Sequence, residues 1–122
     1  MQPERRTNRS DNLFEALGLQ LAATAKRGGF TSLVLAEGQG IPVASAGFRD
    51  DLEDIVAVAP SLAPDARPWQ GKLHDGSGAV MVTVMPVNTG DGPLFLCAAG
   101  GHGREVTTDL LRGGVGICRI LA

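Results

Sequence analysis

The sequence predicts an α+β fold in one domain: a single five-stranded antiparallel sheet with helices on both faces, in the order α-β-β-α-β-β-β-α. Three observations lead there. A chain of 122 residues has the length of one ordinary domain, enough to close one core but not two. Apolar residues make up 43% and charged residues 20%, the balance of a soluble globular protein. Stretches whose apolar residues recur at three and four alternate with short runs of β-type residues bounded by Gly-, Asp- and Asn-rich turns.

Residues 1–10, MQPERRTNRS, hold three Arg against one Glu and no apolar cluster. That is the composition of a disordered, solvated tail, so the folded domain is expected over residues 11–122. From Asp11 the pattern is helical, with Leu13, Phe14, Leu17, Leu21 and Ala25 on one face, and Gly28 and Gly29 end it. Ser10, Asp11 and Asn12 are candidate caps for its first amides.

A strand is expected from Phe30 to Ala36, a turn at Glu37 to Gly40, and a return strand from Ile41 to Ala46. Arg49, Asp50 and Asp51 precede Leu52, Ile55, Val56 and Ala59, which repeat at helical spacing; the carboxylates suit the positive end of a helix dipole. Pro60 should kink or stop this second helix, and Pro64 and Pro68 should leave an irregular connection up to Trp69.

Three further strands fit Trp69 to His74, Ala79 to Val87 and Leu94 to Ala99, separated by the turn-forming DGSG and NTGDGP. The middle one is apolar on both faces, with Val80, Val82 and Val84 on one side and Ala79, Met81 and Met85 on the other, so it needs cover above and below. A last helix carries Val106, Leu110, Ile117 and Leu121 on one stripe, with Gly113 and Gly114 in the middle. Two mid-helix glycines cost about 1 kcal/mol each relative to Ala, so either the backbone packs tightly there or the helix breaks near Gly113.

Eleven basic and thirteen acidic residues give a net charge near −2, and the basic residues form no stripe, which argues against nucleic acid. No apolar stretch approaches the roughly 18 to 20 residues of a membrane-crossing helix, and the N-terminus lacks the apolar core of a signal peptide. No membrane insertion and a cytoplasmic location are therefore expected, with Cys97 and Cys118 as buried free thiols.

Candidate chemistry is thin. Residues 98–105, AAGGHGRE, run from a strand into a helix and offer backbone amides to an anion, but they do not spell a phosphate-loop motif; a structural loop is the better reading. Cys97 with His102 is a possible thiolate and imidazole pair, yet Cys97 lies mid-strand and His102 in the following loop. His74, His102, Cys97 and Cys118 have no close metal-ligand spacing. Asp50, Asp51, Glu53 and Asp54 form the densest acidic cluster, best read as a capped helix start. No catalytic residue, cofactor or metal is expected. Trp69, the single Trp, opens a strand that reads as a sheet edge; local packing and an interface anchor are equally consistent with it.

The stretch LVLAEGQGIPVASAG followed by RDDLEDIVAVAPSLA resembles the signature of the Roadblock family, dynein light-chain relatives that include the bacterial MglB-type regulators of Ras-like GTPases. The element order from Asn12 to Leu121 and the ending GVGICRIL are similar to the family as well. The resemblance implies a Roadblock/profilin-like α/β sandwich, with the second helix on one sheet face and the other two on the opposite face. It also implies a homodimer in which the third strands, here Trp69 to His74, pair across a two-fold axis while the second helices pack side by side. Such pairing hides the free amides and carbonyls of an edge strand. Pro60, Pro64 and Pro68 depart from the family pattern.

The resemblance further implies a non-catalytic regulator or adaptor whose partners are its own copy and a small GTPase or other signalling protein. Arg49, Asp50, Glu53, Trp69, Gln70 and Lys72 are the candidate surface. The alternative is a GAF- or PAS-like small-molecule sensor, for which Ser32, Thr83 and His102 are the available polar groups in a cavity between sheet and helix. An oxidoreductase or hydrolase built on Cys97 is the least supported.

Overall fold

The computed structural model describes residues 2–47, 52–75, 78–90, 92–101 and 105–122. Helix α1 (Gln2–Gly28) leads into strands β1 (Phe30–Glu37) and β2 (Pro42–Gly47). Helix α2 (Leu52–Leu62), strands β3 (Trp69–Asp75), β4 (Gly78–Thr89) and β5 (Gly92–Gly100), and helix α3 (Val106–Leu121) complete the chain. The element order is the one expected. The five strands form one sheet in the order β2-β1-β5-β4-β3, and each neighbouring pair is antiparallel.

Alternation along the central strands sorts side chains into two cores. Leu33 and Leu35 of β1, Met85 and Val87 of β4, and Leu96 and Ala98 of β5 face α1 and α3, where Leu17, Leu21, Leu110 and Ile117 meet them. Their sequence neighbours Ala36, Val82, Val84, Phe95 and Cys97 face the other way and are covered by Leu52, Val56, Ala59 and Ala63. Among the described residues helix α2 is thus the one helix on its face, and the doubly apolar β4 has cover on both sides.

Two expectations need correction, and one open alternative is decided. Helix α1 begins at Gln2 and not at Asp11, so from Gln2 onward the stretch expected as a solvated tail is continuous with the first helix, and Ser10, Asp11 and Asn12 lie in its interior, not at its cap. Pro3 falls in the first turn, where its missing amide removes no helical bond, and Glu and Arg are good helix formers. Pro60 does not stop α2, which runs on to Leu62, with the Ala63 amide donating to the Ala59 carbonyl at 3.1 Å. A proline this near the C-terminal end removes one helical bond, and the buried Ala59 and Ala63 hold the turn against the sheet. Of the two readings of Gly113 and Gly114, tight packing holds: helix α3 passes through both without a break.

The two glycines of α3 are positions of close approach. A Cβ at Gly113 would sit 2.9 Å from the side chain of Thr24 on α1, and one at Gly114 would sit 3.3 Å from Val87 on β4. The Thr24 methyl and hydroxyl both face Gly113, and the hydroxyl donates to the Gln20 carbonyl of its own helix at 2.8 Å, so no unpaired donor is buried at the contact. No helix of the described chain is long and apolar enough to cross a membrane.

Candidate functional site

Among the described residues, those with reactive side chains do not converge. Cys97 lies in the middle of β5, paired with Val34 and Val84, and is fully buried on the α2 side. Burial pushes its thiol up to about 12, because a thiolate there would lose its hydration with no cation to replace it. Cys118 lies on α3, across the sheet from Cys97, half-buried, with its thiol 3.5 Å from the Asn88 carbonyl. His74 is exposed on β3, and His102 lies outside the described residues. Among the described residues no group of three or more His, Cys, Asp or Glu is placed to hold a metal ion.

The polar groups considered for a sensor cavity are likewise apart. Ser32 pairs with Ala99 and Thr83 with Ala98, which puts them on opposite faces of the sheet. The Thr83 hydroxyl accepts a hydrogen bond from the Gln70 amide at 3.3 Å. A groove of about 980 Å³ opens at the end of the sheet between the two hairpin turns and the end of α3, lined by Leu35, Glu37, Val43, Leu94 and Leu121; neither Ser32 nor Thr83 borders it. In the loop before α3, Gly101 has a φ of +109° and packs against Phe30 and Val106, so its backbone serves the chain reversal.

The feature that stands out is an incompletely covered margin. Helix α2 packs over β5 and β1. Toward the β3 edge the same sheet face carries Trp69, Leu73 and Val80, which join the α2-side core yet stay only partly buried. Ile55 and Leu62 on α2 are also partly buried, and Val58 is 46% exposed. Beside them, among the described residues, β3 is hydrogen-bonded to β4 alone, so its outer amides and carbonyls have no strand partner there. An apolar strip next to an open ladder is the arrangement that a second strand and a second helix would complete.

The residues expected at this surface divide between the two faces. Trp69 lies on the α2 side, and its indole lies across Gly71, where any Cβ would overlap the ring. Gln70 and Lys72 alternate to the α1 and α3 side, where Gln70 reaches Thr83. Glu53 is exposed in the first turn of α2, and Arg49 and Asp50 lie outside the described residues. Ile55 and Val80 were read from the sequence only as positions on apolar faces, and Leu73 and Val58 were not singled out. Period-two spacing from Trp69 would have found Leu73, whereas the partial exposure of Val80 and Val58 depends on where α2 lies.

No family profile matches the chain, and no curated protein matches it in sequence. Solved structures do. The gliding protein MglB from Thermus thermophilus superposes with a TM-score of 0.66 at 14% identity, over 88% of this chain and 90% of that one. An MglB solved in a tetrameric arrangement gives 0.67 at 16% identity, over 88% and 89%. A Roadblock/LC7 domain from Streptomyces avermitilis gives 0.64 at 16% identity, over 85% and 96%. The chain has the fold of these proteins over most of its length.

Proposed function

We propose that the chain is a non-catalytic, homodimeric regulatory or adaptor module that engages a small Ras-like GTPase or another signalling protein. The shared fold with MglB and a Roadblock/LC7 domain supports the class. The observation that carries the dimer is the half-covered apolar margin of Trp69, Leu73 and Val80 beside the open β3 ladder. In this reading two β3 edges pair, the two sheets become one, and the two α2 helices lie side by side over the join. The partner then meets a composite platform of both α2 helices, with Glu53 at its rim; Arg49 and Asp50, proposed for the same surface, lie outside the described residues. Gln70 and Lys72 border the same join from the opposite face. The reading places the protein in the cytoplasm, with no nucleic acid and no membrane insertion.

Function by platform suits the chemistry, because the buried Cys97 is held as an inert thiol and, among the described residues, no cluster of His, Cys, Asp or Glu is placed to hold a metal. Any effect on GTP hydrolysis would come from repositioning groups of the GTPase itself. The test is to measure binding of purified Ras-like GTPases, loaded with GDP or with a non-hydrolysable GTP analogue, to the full chain by calorimetry. A clear preference for one nucleotide state supports regulation. Equal affinity for both moves the reading to adaptor, and no binding of either form removes the GTPase as partner.

A further inference from the structure

We propose that the β3 edges of two copies pair about a two-fold axis at Gly71, so that Trp69 faces Leu73 of the second copy and the two indoles lie side by side over the two glycines. The inference rests on the dimer reading above and fixes what that reading leaves open, the register of the contact.

Directly opposed residues in an antiparallel pair point to the same face. Two copies that keep α2 on one side of a continuous sheet must therefore place a residue of β3 opposite itself. Centring on Gln70 sets Trp69 over Gly71 of the second copy, a glycine already covered by its own indole, and strands Leu73 beyond any apolar partner. A centre at Lys72 opposes Lys72 to its own copy, a destabilising like-charge pair, and sets the indole of Trp69 against Asp75. Gly71 at the centre meets neither objection. Half-buried Trp69 then faces half-buried Leu73 on the apolar side, uncharged Gln70 faces Lys72 on the polar side, and Pro68, with no amide to give, falls where pairing runs out.

The indole geometry agrees. Each Trp69 ring runs along its own strand to lie over Gly71. Adjacent strands are about 4.8 Å apart, so rings over two opposed glycines come within the roughly 4.5–7 Å of aromatic pairs. Glycine at 71 is what clears the space for both.

Cysteine cross-linking under mild oxidation tests the register, in a Cys118→Ser background that leaves only the buried Cys97. Directly opposed residues lie within bridging distance, whereas the diagonal from Lys72 to its own copy is about 7–8 Å, at or beyond the disulfide limit of about 7 Å. An equimolar mixture of Gln70→Cys and Lys72→Cys chains is expected to give cross-linked dimer, and Gln70→Cys alone or Lys72→Cys alone to give little. Sedimentation of the reduced chains provides the independent readout. A dimer in which Gln70→Cys or Lys72→Cys bridges to itself, or in which the mixture fails to bridge, overturns the register and leaves the dimer standing. Chains that sediment as monomers overturn both.

Discussion

Cys97 links burial to a measurable pH response. Its thiol is pushed from 9 to about 12 in the folded chain, while an unfolded chain releases the proton near the ordinary value. The folded pKa is the higher one, so the contribution to stability is complete below pH 9 and is lost as pH rises from there toward 12. The slope is about 1.4 kcal/mol per pH unit for one such group. A Cys97→Ala chain should show a shallower alkaline loss than the parent in urea melts between pH 8 and 10.5; parallel curves would count against the burial account. The flanking Leu96 and Ala98 made burial legible in the sequence, but which face the thiol occupies depends on the pairing of β5 with β1 and β4. Trp69 teaches the same lesson. Its rarity drew notice, while its contact with Gly71 became visible only once the strand was in place.

The opening hairpin and α3 show how glycines are fixed by neighbours distant in sequence. Gly40 has a φ of +81°, closes the turn by donating to the Glu37 carbonyl at 2.9 Å, and lies where a Cβ would come 2.6 Å from the Ala57 carbonyl of α2. Gly40→Ala should therefore lower stability by about 1–2 kcal/mol from backbone strain alone, and more from the overlap. Gly38→Ala, whose Cβ would find only ordinary contact with Pro93 at 3.6 Å, should change the urea midpoint little. Gly113→Ala is a sharper test. On an open helix the change would gain about 1 kcal/mol, but here the methyl meets Thr24, and a net loss of about 1–3 kcal/mol is expected. A gain would mean that α1 and α3 can separate freely. Helix types were readable from spacing, because the 3.6-residue period is local. The ends were less so: the start of α1 at Gln2 and the survival of α2 past Pro60 turn on propensity and sheet contacts that no cap motif announces.

For the molecule as a whole, the consequence to test is self-association. Trp69→Ala removes the largest half-buried side chain at the margin, and if that margin closes on a second copy, its loss should weaken the dimer roughly thirtyfold by sedimentation. Undiminished affinity would shift the interface away from β3. Because the chain holds one Trp, its fluorescence reports this site alone, and the parent emission should move to the red as dimers dissociate on dilution. The sequence by itself determined the kind and order of the elements and the two-sided burial of β4, since periodicity and turn residues act over a few neighbours. Only the tertiary structure decided that β1 lies beside β5, joining Leu33 to Ala98, that Trp69 and Leu73 at the β3 margin stay only partly buried against the α2-side core, and that Gly113 meets Thr24. The physical reason is that a local pattern states which face of an element is apolar, whereas the identity of what covers it, and how much it leaves bare, emerges only when distant segments compete for the same surface.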